Sequence, residues 1–149
     1  RALNVAVTLL DKGANLPDIY QQALFQRSFQ AMRFWGSGLS HLQRDGSLVW
    51  TTLTMEDRKQ AGYSGRDDAD LINILSSISK TNVVVIFVEQ PDGSVKVSWR
   101  ANGGIDVSGI AQNFGGGGHR AAAGATLPGP LAEVQGRVLN TTRELAEIS

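Results

Sequence analysis

A chain of 149 residues with 42% apolar and 19% charged side chains suits one compact domain with a real core rather than a disordered segment. Fourteen basic residues balance fourteen acidic ones, so no global field draws the chain to nucleic acid or membrane, and any anion site must be local. The absence of cysteine excludes disulfides, thiolate nucleophiles and cysteine-based zinc centres, and it accords with a cytoplasmic location. The longest apolar run, Val83 to Val88, is far too short to span a bilayer. The two histidines, His41 and His119, lie apart from each other and from carboxylate clusters, so no metal site is expected within the chain. The chain opens at Arg1 without a signal sequence, which suggests a segment of a longer protein.

In chain order, RALNVAVTLLDKGAN predicts a short helix closed by Gly13 as C-cap. Pro17 suits the first turn of a second helix, with Asp18 near its positive end. Phe25, Met32 and Leu39 recur every seven residues, with Trp35 and Leu42 between them, and predict one long helix with a core-facing stripe. Its aromatics, Phe25, Phe29, Phe34 and Trp35, require a cover: the rest of the chain, a neighbouring domain or a second subunit. A homodimer is therefore expected. Near residue 44 the RDGS turn and the β-rich SLVWTTLT mark a domain boundary. MEDRKQAG predicts a short helix, and RDDADLINILSSISK a longer one with Leu71, Ile74, Leu75 and Ile78 on one face. Asp67, Asp68 and Asp70 read better as charge at that helix's N-terminus than as metal ligands.

NVVVIFVEQ, PDGS and VKVSWRAN predict a hairpin. Its first strand is apolar on both faces and so central; its second alternates, with Val95, Val97 and Trp99 one way and Lys96, Ser98 and Arg100 the other. IDVSGIAQNF predicts a helix with Asp106 as N-cap and Ile110 and Phe114 on one face. AAAGATL predicts a strand, and Pro130 starts a last helix striped by Leu131, Val134, Val138, Leu145 and Ile148. Together these elements imply an α/β (α+β) fold with a mixed central sheet flanked by helices.

Between the last two segments lies GGGGHRAAAG, residues 115–124. Gly116, Gly118 and Ala121 satisfy the dinucleotide pattern formally, but the run follows a helix rather than a strand. No Gly-Lys pair occurs, which excludes a P-loop, and no G-x-S-x-G stretch occurs, which excludes a nucleophile elbow. Two readings stay open. Gly115, Gly116, Gly117 and Gly118 could turn successive N–H groups inward around an anion, with His119 and Arg120 adding donors. The run could instead be a tight helix-to-strand connection, with His119 capping a carbonyl. Should the strand of Arg100 lie beside AAAGATL, Arg100 and His119 would face one cleft and clamp one phosphate.

KVSWRA followed by IDVSGIAQNFGGGGHRAAAGATL closely resembles the DHHA1 domain of the DHH phosphoesterase superfamily, where a K-V-S-x-R strand precedes an F-G-G-G-G-H-x-x-A-A-G loop. DDADLINILSSI, the PDG hairpin and the proline-started last helix resemble its oligoribonuclease and pAp-phosphatase branch. The resemblance implies the remnant of a catalytic DHH domain over residues 1–14, a helical interdomain connector over 15–45 and a DHHA1 substrate-binding domain over 46–149. It implies that Arg100, Ser98 and the Gly115–His119 loop bind a nucleotide or short single-stranded RNA, with Arg120 at a position often basic in the family. It places the catalytic metals, manganese by expectation, in a DHH domain joined in cis, so that this chain carries no catalytic residue and no cofactor and hydrolyses nothing alone. Trp99 and Ala101 depart from the family's usual residues. Relatives of this domain also serve cyclic-dinucleotide hydrolases, c-di-AMP phosphodiesterases included, and alanyl-tRNA synthetases.

Overall fold

The structure, a computed structural model, describes residues 8–15, 17–18 and 26–146. From residue 29 the chain forms α1 (Phe29–Ser40), β1 (Gln43–Asp45), β2 (Leu48–Leu53), α2 (Met55–Ala61), α3 (Leu71–Leu75) and β3 (Val83–Glu89). It continues with β4 (Ser94–Ala101), α4 (Val107–Gln112), β5 (Gly117–His119), β6 (Ala122–Pro128) and α5 (Leu131–Leu145). The six strands make one mixed sheet in the order β1-β2-β3-β4-β6-β5, parallel between β2 and β3 and antiparallel elsewhere.

Alternation along the strands divides the apolar side chains between two cores. On one face Trp50, Val85, Phe87, Val97 and Trp99 pack under α4 and α5 with Ile110, Val134 and Val138. On the other, Val49, Leu53, Val84, Ile86 and Val88 pack under α1, α2 and α3 with Phe34, Leu71 and Leu75. Each such fully buried side chain contributes about 1.5–3 kcal/mol of transfer free energy. β3 is buried on both faces through Val88, as its uninterrupted apolar run requires.

The second layer is incomplete. It covers β2 and β3 but leaves the same face of β4, β6 and β5 open, and there Lys96, Ser98, Arg100, Thr126 and Gly117 are exposed or half-buried. This open half-face is a floor, walled on one side by α3, which lies against β3 and β4.

Several elements differ from their sequence-based expectation. The long helix from Pro17 does not run through: residues 26–28 are not helical, and Ser28 starts α1 afresh, its hydroxyl accepting from Ala31 N at 3.1 Å. The buried stripe of α1 is Ala31, Phe34 and Gly38, whereas Met32 and Leu39 face solvent and Phe25 lies outside the described residues. Gly38 decides this choice, because a Cβ there would stand 2.6 Å from Leu71 Cδ2. α3 stops at Leu75 because the hydroxyls of Ser76 and Ser77 bond back to the carbonyls of Ile72 and Ile74, both at 2.7 Å. Ile74 is consequently exposed. In α5 the buried row is Val134, Val138, Leu139 and Thr142; Leu145 is exposed and Ile148 lies outside the described residues.

Candidate functional site

The register of the sheet assembles the site. Arg100 stands opposite Ala122, and Ala122 opposite His119. One step along, Ser98 stands opposite Gly124 and Gly124 opposite Gly117, and beyond them Lys96 faces Thr126. Directly opposed residues on neighbouring strands project to the same face, so all these side chains rise from the open floor. At ~4.8 Å between strands, the backbones of Arg100 and His119 lie ~10 Å apart across Ala122. Two long side chains can close over one phosphate across such a gap, and the small residues between them keep its base flat.

Arg100 is half-buried, and among the described residues its one hydrogen bond is local, Nη1 donating to the Trp99 carbonyl at 3.1 Å. Its Nε and Nη2 remain open to a ligand. His119 is exposed, and its ring makes no hydrogen bond among the described residues, so it does not cap a carbonyl. Arg100 is anchored from below: Trp99 is fully buried on the opposite face, stacked on Phe114 at 6.1 Å and donating from Nε1 to Thr142 Oγ1 at 3.1 Å.

The glycine run divides its labour. Gly115 N bonds to the Gln112 carbonyl and Gly116 N to the Ala111 carbonyl, both at 3.0 Å, and Gly115 has φ +72°. That is a Schellman cap closing α4, so these two N–H groups serve the helix rather than an inward-facing anion concavity. The next residues, expected as loop, form the edge strand β5. A Cβ at Gly118 would lie 2.5 Å from the Ala122 carbonyl oxygen at φ +149°, whereas one at Gly117 would meet nothing within 4 Å. Gly118 is therefore required by the fold. Gly117 is not, and its missing side chain leaves room on the floor.

Arg120 turns elsewhere: its Nη2 donates to the Gly104 carbonyl at 3.0 Å and its Nε lies 3.9 Å from Asp106, the N-cap of α4. The structure thus brings together Arg100, Ser98, Gly117 and His119, seats Gly115 and Gly116 beside them, and directs Arg120 to the α4 N-terminus. Gly115 and Gly116 line a groove of about 390 Å³ together with Lys96, Gly124 and Thr126. Lys96, Ala122, Gly124 and Thr126 complete the floor without being singled out by motif reasoning. The alternation of β4 already signalled Lys96; the others needed the pairing of β6.

The acidic segment is structural. Asp67 accepts from Tyr63 Oη at 2.6 Å and from Ala69 N at 3.0 Å, and the Tyr63 bond holds its carboxyl below the ordinary range. Burial, followed by the Asp67 bond, pushes the Tyr63 hydroxyl well up, so it remains a donor. Asp68 accepts from Ile72 N at 2.8 Å, and Asp70 pairs with Arg27 at 2.9 Å. Among the described residues, no three His, Asp or Glu side chains group to hold a metal ion. Burial raises the Asp68 pKa, so the fold binds its proton more tightly than the unfolded chain does. Its contribution is present at low pH and is lost as pH rises through the raised value. Asp68→Asn keeps the acceptor for Ile72 N and removes that loss. It should stabilise the chain at pH 7, with no gain near pH 3, as read by urea unfolding at the two pH values.

Residues 45–147 match the DHHA1 domain family. A bifunctional oligoribonuclease and PAP phosphatase, NrnA, from Thermus thermophilus is 36% identical over 144 residues, which are 95% of this chain and 43% of that protein. The protein of the same name from Mycoplasma pneumoniae is 39% identical over 127 residues, 85% of this chain and 38% of that one. An exopolyphosphatase-related protein from Bacteroides fragilis superposes with a TM-score of 0.85 at 26% identity, covering 99% of this chain and 45% of its own. A Vibrio pGpG-specific phosphodiesterase shares the fold at a TM-score of 0.58 and 15% identity, covering 98% of this chain and 52% of its own. The chain spans less than half the length of the curated relatives it matches.

Proposed function

This chain belongs to the DHHA1 domain family, and from that premise we propose that it is the substrate-gripping part of a phosphoesterase acting on short oligoribonucleotides and 3′-phosphoadenosine 5′-phosphate (pAp). One observation carries the reading: Arg100, Ala122 and His119 form a single row on an uncovered sheet face, both long side chains free to meet a ligand. The guanidinium supplies a planar fork matched to phosphate oxygens. His119 adds a ring N–H that can donate a hydrogen bond to the anion. Ala122, Gly124 and Gly117 allow the nucleotide to lie close to the backbone, and Ser98 adds a hydroxyl beside them.

Among the described residues no three His, Asp or Glu side chains group to hold a metal ion, and no hydrolytic step is assigned to them. Cleavage of the phosphoester is assigned to a DHH domain joined in cis, whose divalent ions, manganese by resemblance, would activate water. The parent enzyme is read as a cytoplasmic 3′–5′ exoribonuclease; among the described residues no helix is long and apolar enough to cross a membrane.

Calorimetric titration with pAp tests the clamp. Charge-assisted hydrogen bonds contribute about 1.5–3 kcal/mol each, so Arg100→Ala and His119→Ala should each weaken binding about 10- to 100-fold. Both variants should unfold at the wild-type temperature, because neither side chain is part of a core. Wild-type affinity in both would overturn the assignment.

The outward stripe of α1, with Phe29, Met32 and Leu39 all exposed, is where the expected second copy would pack. Sedimentation velocity should show association that rises with concentration and is lost in Met32→Glu. A monomer at every concentration would remove the homodimer from the reading.

A further inference from the structure

The open floor does not end at Lys96. Beyond it lies a groove of about 210 Å³ lined by Arg66, Gln90, Asp92, Ser94, Lys96 and Thr126. Lys96 and Thr126 also line the groove that runs past Gly115 and Gly116, so the two depressions share a wall and form one track along β4 and β6.

Arg66 is delivered to this groove by a loop fixed at three successive residues. The Gly65 carbonyl accepts from Arg58 Nη1, the Arg66 carbonyl from Gln90 Nε2 at 3.1 Å, and the Asp67 carboxylate from Tyr63 Oη at 2.6 Å. Arg58 is itself buried, donates to the Glu89 carbonyl at 3.0 Å and lies over the Phe34 ring at 5.5 Å. Yet the Arg66 guanidinium makes no hydrogen bond and no ion pair within 4.0 Å among the described residues, and neither does the Lys96 ammonium. Their opposing charges act from beyond 4.0 Å, Asp92 on Arg66 and Asp67 on Lys96, and both carboxylates are engaged by hydrogen bonds of their own, so the two cations remain available to an anion from outside. Asp92 also lines this groove, its carboxylate engaged by Ser94 N at 3.0 Å and Ser94 Oγ at 2.6 Å.

We propose that Arg66 and Lys96 form a second phosphate subsite, which holds the backbone of a single-stranded oligonucleotide whose terminal phosphate sits between Arg100 and His119. The inference rests on that clamp and adds to it a reading of strand length. From Arg100 to Lys96 is four residues of β4, ~13 Å at the strand rise. That distance corresponds to about four stacked nucleotides at ~3.4 Å each, fewer in a stretched strand. Mononucleotides and pAp reach only the first subsite; strands of three nucleotides or more reach both.

The test is calorimetric titration of the 149-residue chain with pAp and with 5′-phosphorylated oligoadenylates of about two to five nucleotides at several salt concentrations. Wild-type affinity should rise with length and level off once the second subsite is reached. Arg66→Ala should weaken the tetranucleotide about tenfold and lower its salt slope by about one counterion, with pAp affinity unchanged; Lys96→Ala, on the wall shared by the two grooves, should weaken the tetranucleotide at least as much. Arg66→Lys should restore most of the tetranucleotide affinity. Wild-type tetranucleotide affinity and salt slope in Arg66→Ala would overturn the proposal, as would an equal loss of pAp affinity, which would place Arg66 in the first subsite. Failure of the clamp itself would look different: Arg100→Ala would then leave pAp binding intact, whatever Arg66→Ala does to the tetranucleotide.

Discussion

Gly117→Val should keep the fold and lose the ligand. A Cβ at this position meets nothing within 4 Å, and β5 is an edge strand, where a β-branched residue is welcome. Replacing glycine also restricts the unfolded chain, so the variant should be as stable as the wild type or gain up to about 1 kcal/mol. Yet Gly117 lies opposite Gly124 in the row of Ser98, so its new isopropyl group rises from the floor between Arg100 and the groove past Gly116. It would occupy the space that a nucleotide needs, and pAp affinity should fall by at least tenfold. The neighbour behaves oppositely. At Gly118 a Cβ collides with the Ala122 carbonyl in a backbone region closed to other residues, so Gly118→Ala should lose about 1–3 kcal/mol or more of stability. Paired thermal melts and titrations separate the two effects. Unchanged pAp affinity in a fully folded Gly117→Val protein would mean that the ligand does not lie on this floor.

Trp99→Ala should bring the chain close to unfolding. Trp99 is the largest fully buried side chain among the described residues; it stacks on Phe114 and bonds to Thr142, tying the last helix and the segment after α4 to the sheet. Truncating a buried aromatic costs about 3–5 kcal/mol, and orphaning the buried Thr142 hydroxyl adds about 1–3 kcal/mol. Against a total of about 5–15 kcal/mol for a domain, the loss is decisive. Urea unfolding should show a midpoint shifted far toward zero denaturant. Trp99→Phe should fall between the two, keeping the stack and losing the bond. A loss under about 1.5 kcal/mol in Trp99→Ala would show that α5 is held by other contacts.

Parts of this molecule were legible before any coordinates. The alternation of Val95, Val97 and Trp99 with Lys96, Ser98 and Arg100 fixes two faces of one strand, because a strand has a period of two and nothing else satisfies it. The buried run of β3 and the N-cap at Asp106 were equally plain. Other features were not. Phe25, Met32 and Leu39 made as good a stripe on paper as Ala31, Phe34 and Gly38, and only the contact of Gly38 with Leu71 selects the second. α3 looked longer than it is because apolar spacing does not report serine hydroxyls competing for helix carbonyls. In α5 a threonine took a core position that Leu145 had seemed to claim, because Trp99 needs an acceptor there. Arg66 carried no sequence signal at all.

By itself, the sequence determined which residues could bind an anion: four glycines, a histidine and an arginine in one place, and an arginine on the polar face of a strand in another. Its periodicities and caps also determined the elements and the mixed α/β class. Only the tertiary structure decided that β6 lies between β4 and β5, so that Arg100 and His119 share a row. It also decided that Gly115 and Gly116 cap a helix while Gly117 leaves a floor open. The reason is the range of the forces. Turn preference, capping and alternation act over a few residues and are written locally, whereas strand order and the incomplete second layer follow from how all the apolar faces are buried at once.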